Sequence, residues 1–249
     1  MSTEGLVIHP LRLEKELDSH TYYIEESHHS ESPQECASLY DNWSATYDDV
    51  VKRVEYQGPK LLIQSVLPYL AKMINEKEKI KILEIGAGSG EAGRLLKAAV
   101  IDQFGMSAWD KITLDGQDAS AGMLEVAKKQ NNQVYSNFYH EILLPDQVSK
   151  VVQLESYDIV MGVGVFSLKH MESEHIHHFV EPAKRHGGLI IFGVWEKWKK
   201  MSTDGHVINP PLRLEKELDL HTYNVEKSYH CKNPKECADI YDNYTIRLT

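Results

Sequence analysis

The stretch "KIKILEIGAGSGEAGRLLKAAV", Lys79–Val100, decides the fold. Its first eight residues are a short apolar run closed by glycine, the pattern of a strand covered on both faces. Its last residues put Ala92, Leu95, Leu96 and Ala99 at i, i+3, i+4 and i+7, one face of a helix. Between the two, Gly86, Gly88 and Gly90 allow a sharp turn and let a ligand approach the backbone with no Cβ in the way. A strand, a glycine loop and a helix in that order set the free N–H groups of a helix N-terminus beside the loop.

Working outward, the same alternation repeats. "KITLDGQD" (111–118) reads as a second strand and "AGMLEVAKK" (121–129) as the helix after it. "VYSNFYH" (134–140) is a weaker third strand, "YDIVMGVGVF" (157–166) a fourth and "GGLIIFGVW" (187–195) a fifth. "HIHHFVEPA" places Ile176, Phe179, Val180 and Ala183 on one helix face. Apolar strands separated by helices predict an α/β fold, a doubly wound, mostly parallel sheet that binds ligands at the carboxyl ends of its strands. Upstream, Ser32 and Pro33 read as an N-cap and first helical residue. "GPKLLIQSVLPYLAKM" has helical spacing through Leu62, Val66, Leu70 and Met73, with a kink or break expected at Pro68.

The chain carries its own beginning twice. "LRLEKELD" occurs at Leu11 and again at Leu212, and "SPQECASLYDNW" at Ser32 answers "NPKECADIYDNY" at Asn233. Two copies about 200 residues apart are not a solenoid, which needs a short period and several units. The reading is a tandem duplicate truncated after its head. Three segments follow: an acidic head over 1–50, a core over 51–200 and a truncated repeat over 201–249. The chemistry is expected between the copies; after "EKWKK" the chain passes directly into the second copy, which predicts that strand five is an edge, to be covered by the second copy, by a partner subunit or by nothing.

Charge and composition narrow the function. The formal net charge is −10, with eleven acids against two bases in residues 1–50. The absence of a basic patch argues against nucleic-acid binding. The chain has no run of about 18 apolar residues and no apolar leader, which argues against a membrane span or a secretory signal. Cys36, Cys231 and Cys237 do not form a disulfide or zinc framework, and a reducing, cytoplasmic setting fits them.

The glycine loop admits two cofactor readings. Gly88, Gly90 and Gly93 spell G-x-G-x-x-G, the fingerprint of nicotinamide and flavin enzymes. Against that fingerprint stand Glu84, within the strand before the glycines, and Asp118, at the end of the second strand; an acid at the latter place can accept hydrogen bonds from the ribose hydroxyls of any adenosine cofactor, so Asp118 alone does not discriminate. Taken together, "ILEIGAGSGEAG", "DASAGMLEVA", "YDIVMGVG" and "HGGLIIF" resemble the class I S-adenosylmethionine-dependent methyltransferases. "LYDNWSATYDD" and "EYQGPKLL" are similar to the methyltransferase-like family associated with the Williams–Beuren syndrome chromosome region. The resemblance spans about residues 36–195 and implies a Rossmann-like core that binds S-adenosylmethionine, here expected to lack the usual last two strands.

The resemblance also implies site residues. Gly86, Ala87, Gly88 and Gly90 would pass the methionine part of the cofactor, with Glu84 orienting the loop. Asp118 would hold the ribose, and Ala119 and Met123 would flank the adenine or ribose. Either His140 or Glu141 would meet the adenine amino group, and Gly162 and Val163 would line the reactive side. Tyr40, Trp43 and Tyr47 would cap the cleft, although large aromatics serve helix packing equally well. The class usually has proline where His186 stands.

Methyl transfer needs alignment and sometimes a base. His170, after the fourth strand, is the candidate base, set against an ordinary loop histidine. No metal is expected: His170, Glu174 and His178 are four apart, but a hydrated helix face explains them. The core has no cysteine for cytosine C5 chemistry, and "MGVG" stands where amino methylases of adenine carry a proline pair. A small-molecule or protein acceptor remains, with a catalytically inactive cofactor-binding module as the alternative and a nicotinamide oxidoreductase as a third reading. Oligomeric state is not legible.

Overall fold

The structure, a computed structural model, describes residues 23, 26, 27, 29–167, 170–195, 223–229 and 241–248. After the helical residues 23, 26, 27 and 29 come α1 (Pro33–Trp43), α2 (Tyr47–Arg53) and α3 (Gly58–Glu76). The alternating core follows as β1 (Ile80–Ile85), α4 (Glu91–Phe104), α5 (Met106–Trp109), β2 (Ile112–Asp118), α6 (Ala121–Lys129), β3 (Asn137–His140) and β4 (Ile159–Phe166). A 3₁₀ turn (Ser173–Ile176), α7 (His177–Val180), β5 (Leu189–Trp195), β6 (Tyr223–Tyr229) and β7 (Tyr241–Leu248) complete it.

The seven strands lie in the order β3-β2-β1-β4-β5-β7-β6. The first five are parallel, and β7 and β6 are antiparallel. Strand order reverses between β1 and β4, so the loops after these strands open at the switch point where such sheets bind ligands. Alternate residues face opposite layers. Ile80, Ile82, Ile159, Met161, Leu189 and Ile191 pack on one side with Leu62, Val66, Leu70 and Leu96 of α3 and α4. Leu83, Ile85, Val160, Ile190 and Phe192 pack on the other with Phe166, Ile176, Phe179 and Val180.

The expectation that the last two strands are missing is corrected. Strand five is not an edge: Leu189–Trp195 pairs residue for residue with Arg247–Tyr241, and β6 pairs in turn with β7. The second copy of the head supplies both strands. Its residues Thr245–Leu248 alternate in strand fashion, and Ile246 and Leu248 are buried in the second apolar layer.

Pro68 breaks nothing: α3 runs unbroken through it. Proline removes the N–H that would reach the Gln64 carbonyl, but Pro68 and Gln64 both lie on the exposed face of the helix. Meanwhile Leu62, Val66, Leu70 and Met73 hold the other face in the core. The helix expected over "HIHHFVEPA" is two short turns, with all four of its apolar residues buried as its spacing predicts. Strand three is shorter than expected. The Asn131 side chain takes the Val134 and Tyr135 N–H groups at 3.0 and 2.6 Å, so these residues belong to a turn.

At the base of the sheet Asp158 is buried and receives Lys77 at 2.5 Å, Lys184 at 2.7 Å and the Lys81 N–H at 2.9 Å. Burial pushes its carboxyl up, but these three donors outweigh that and hold it below the usual range. The clamp ties the start of β4 to β1 and to the end of α3, opposite the cleft.

Candidate functional site

A cleft of about 940 Å³ opens over the carboxyl ends of β1, β2 and β4, with α1, α2 and the residues before α3 arching across it. Its floor is the glycine loop. Gly86 and Gly90 both have positive φ, at 66° and 87°. A Cβ on Gly86 would come within 2.1 Å of Val165 Cγ1, so the loop and the end of β4 approach as only glycine allows.

Asp118 ends β2 inside this cleft. Its Oδ2 accepts the Gly88 N–H at 2.7 Å and its Oδ1 the Ser120 N–H at 2.8 Å. Each oxygen keeps lone-pair capacity for a further donor. Burial raises the Asp118 carboxyl, opposed by the N–H groups of Ser120 and Gly88. Beneath the loop, Glu84 is 1% exposed and accepts the Tyr135 hydroxyl at 2.7 Å. Burial pushes its carboxyl up to about 8, against the pull of Tyr135. Glu84 is buried and Asp118 half-buried, and among the described residues neither is in a salt bridge with Lys or Arg, which suits a ligand that brings positive charge.

The head is fastened at three points. Asp41 of α1 accepts the Ser120 hydroxyl at 2.6 Å and the Gly122 N–H at 2.7 Å, capping α6 from outside. Asp48 of α2 accepts Gln130 at 3.0 Å and faces Arg94 at 3.7 Å. Tyr40 meets Nε2 of His170 at 2.9 Å across the cleft.

Of the residues read from sequence, Tyr40, Tyr47, Glu84, Gly86, Ala87, Gly88, Asp118, Ala119, Met123, Val163 and His170 line the cleft together. Five do not. Trp43 is 2% exposed and stacks on Tyr23 and, edge-on, on Tyr47, so it packs behind the wall. Gly90 turns the loop into α4 and lies over Tyr135. Gly162 is buried against the Ile85 carbonyl and Phe179. His140 is exposed and reaches the Ala119 carbonyl, and the Glu141 carboxylate is taken by the Ser149 hydroxyl and the Lys150 N–H. The cleft wall after β3 is built instead from Ile142 and Leu143, which the reading missed. Gln117, also missed, lines the cleft with its Nε2 on the Glu141 carbonyl at 2.6 Å and its buried Oε1 without a partner.

The histidines after β4 are not a hydrated face. His178 is buried, holds the Leu144 carbonyl at 2.8 Å and is pushed down to about 4 by that burial. His177 holds the Pro145 carbonyl at 3.0 Å, so the pair anchors the loop that carries Ile142 and Leu143. Among the described residues no group of three or more His, Cys, Asp or Glu is placed to hold a metal. No helix among them is long and apolar enough to cross a membrane.

No family model matches the chain. Over 187 residues it is 26% identical to highly reducing polyketide synthase g433 of Fusarium sp., covering 65% of this chain and 7% of the synthase. The chain thus answers to a small part of that protein's length. Among solved structures it is similar to the [4+2]-cyclase SpnF (11% identity, 88% of this chain and 97% of that one, TM-score 0.58). It is similar also to the DszA carbon methyltransferase (15% identity, 86% and 66%, TM-score 0.55). A third is the magnesium protoporphyrin IX methyltransferase of Synechocystis PCC 6803 with bound S-adenosylmethionine (16% identity, 75% and 78%, TM-score 0.50). At these identities what is shared is the fold, the Rossmann-like α/β fold of class I methyltransferases. Because a cyclase shares it, the reaction has to be argued from the site.

Proposed function

We infer that this chain is an enzyme that binds S-adenosylmethionine in the cleft and transfers its methyl group to a small-molecule or protein acceptor. The observation that carries the reading is Asp118, aimed by two backbone N–H groups at a cleft floored by the glycine loop. The residues present fit the cofactor. Asp118 has acceptor capacity for ribose hydroxyls, the glycine loop leaves backbone open, and buried Glu84 and half-buried Asp118 are acids suited to a cationic ligand. When bound, the cofactor supplies a methyl group activated by a sulfonium.

The chain's own residues do the rest. Gly86–Gly88 and Glu84 hold the methionine end, Met123, Ile142 and Leu143 give the adenine an apolar seat, and Val163 faces the reactive side. Tyr40 and Tyr47 exclude water, and His170 serves as the proton acceptor. The likeness of the head to the Williams–Beuren-associated family, a cytoplasmic setting and origin by tandem duplication belong to the same reading.

Two rivals lose ground. The third glycine of G-x-G-x-x-G is explained by packing, since a Cβ on Gly93 would come within 2.3 Å of the Tyr135 hydroxyl. The antiparallel β7 between β5 and β6 also departs from the all-parallel dinucleotide sheet. The inactive-module reading rested on missing strands and on a second head competing for the cleft, whereas residues 223–229 and 241–248 of that second copy are strands of the sheet.

Calorimetric titration with S-adenosylhomocysteine is the test. Micromolar binding by the full chain, weakened at least tenfold in Asp118→Ala with the circular dichroism unchanged, is the expected result. A folded wild-type chain that does not bind sinks the reading.

A further inference from the structure

The part of the cleft away from the glycine loop has a chemistry of its own. Tyr40, Tyr47 and Tyr56 wall it on the head side, and Val163, Val165 and Met171 on the side of β4 and the loop after it. Tyr40 and His170 stand across it as a pair, the hydroxyl 2.9 Å from Nε2 and the rings edge to face with centroids 5.5 Å apart. Among the described residues the carboxylates of the lining are either bonded to other groups, as Glu91 is to Arg94, or exposed. Glu84 is bonded to Tyr135 under the loop, Asp118 is held by Gly88 and Ser120, and Asp48 is engaged by Gln130 and Arg94. Asp49 and Glu55 are exposed residues of the cleft lining.

Resting on the methyl-transfer reading, we propose that this subsite takes a neutral, apolar acceptor bearing a weakly acidic hydroxyl, of the phenol class, and that Tyr40 and His170 together receive its proton. The walls select an apolar, flat molecule. The acids of the cleft lining, Asp49 and Glu55 exposed among them, disfavour an anionic acceptor. At about 940 Å³ the cleft is near the upper end of the roughly 300–1,000 Å³ of small-molecule sites, with room for an acceptor beside a cofactor.

The hydroxyl of Tyr40 can donate to Nε2 of His170, in the tautomer with its proton on Nδ1, while its oxygen accepts from the acceptor O–H. Burial, with Tyr47 nearby, keeps the Tyr40 phenol well above its ordinary range, so it enters the relay neutral. As the acceptor oxygen bonds to the methyl carbon, the carbon–sulfur bond breaks and leaves its electron pair on sulfur, a neutral thioether. The acceptor's proton passes to Tyr40 as Tyr40's own passes to His170. The positive charge that leaves the sulfonium ends on the imidazole.

The test uses 4-nitrophenol, whose phenolate is coloured, titrated with the full chain in the presence of S-adenosylhomocysteine. The bound probe is expected to ionise at lower pH than the free probe, a shift lost in His170→Gln and in Tyr40→Phe. S-adenosylhomocysteine titration of each variant reports whether its fold and cofactor side are intact, and the two variants act independently. A bound probe with unshifted ionisation, no probe binding, or a shift that survives in an intact variant overturns the proposal. If the wild-type chain binds no S-adenosylhomocysteine, the methyl-transfer reading falls, whereas binding of that ligand with no His170-dependent ionisation sinks the acceptor assignment alone.

Discussion

Tyr40-Asp41-Asn42-Trp43 closes helix α1, and Tyr241-Asp242-Asn243-Tyr244 opens strand β7. Three of the four residues are the same, and the segments before them match as well. Residues 23, 26 and 27 are helical in the first copy, whereas Tyr223–Tyr229, which covers the matching positions, is a strand in the second. What differs lies just downstream. The first copy continues Ser44-Ala45-Thr46, and the Thr46 N–H turns back to the Trp43 carbonyl. The second continues Thr245-Ile246-Arg247-Leu248, and Ile246 and Leu248 enter the core. Local propensity is a weak prior that tertiary burial overrides. Two segments of nearly the same sequence therefore do different jobs, the first a helix end beside the cleft and the second a strand packed between β5 and β6.

The largest test removes one copy at a time. A chain ending at residue 200 loses β6 and β7 and bares the whole of β5, whose Ile190 and Phe192 are fully buried. It is expected to be insoluble or to lose cooperative thermal unfolding, as an open apolar edge invites strand addition. A chain lacking residues 1–50 keeps the seven-stranded sheet and is expected to stay soluble while losing S-adenosylhomocysteine binding. Soluble yield and circular dichroism read the first, calorimetry the second. Equal solubility of the two truncations breaks the comparison.

A finer test swaps the matching residues. Ile246 is fully buried in β7, and its counterpart Ala45 is exposed after α1. Ile246→Ala is expected to cost about 2–5 kcal/mol by urea unfolding, the range for a buried aliphatic truncated to alanine. Ala45→Ile is expected to move stability by no more than about 0.5 kcal/mol, as exposed substitutions do. A comparable loss in both would mean that the two copies are not held by different packing.

The sequence was legible where periodicity and a local device agreed. Strands β1, β2, β4 and β5 and the helix Ala121–Lys129 were bounded within a residue or two, because their apolar runs are buried on both faces. The glycine loop and Asp118 were legible because strand, loop and acid follow one another in the chain. The sheet's far edge was not, because the repeat made residues 201–249 look like a second head and only four residues, Thr245–Leu248, say otherwise. Nor was the wall after β3. Glu141 is drawn away by Ser149 and Lys150, eight and nine residues on, which leaves Ile142 and Leu143 at the cleft. Tyr135 looked like a strand residue, yet it is the floor on which Gly90, Gly93 and Gly116 rest.

The two ends of the sheet should also differ in how they answer pH. The β7 side buries Ile246 and Leu248 among apolar side chains, whereas the head side overlies Glu84, whose carboxyl burial pushes up to about 8 from an ordinary 4.5. In the unfolded chain Glu84 loses its proton near the ordinary value, while in the folded chain it keeps the proton to about 8. The folded state therefore binds more protons across that window, and stability falls as pH rises through it. The contribution is fully present below the unfolded value and gone above the folded one. Glu84→Gln keeps an acceptor for the Tyr135 hydroxyl and removes the titration. The variant should match the wild type near the acid end and exceed it at pH 8–9, by an amount on the order of one to a few kcal/mol. Ile246→Ala should instead lower stability by the same amount at every pH. Urea unfolding of both variants across the window separates the two behaviours, and a Glu84→Gln curve parallel to the wild type would mean that the carboxyl titrates no differently folded than unfolded.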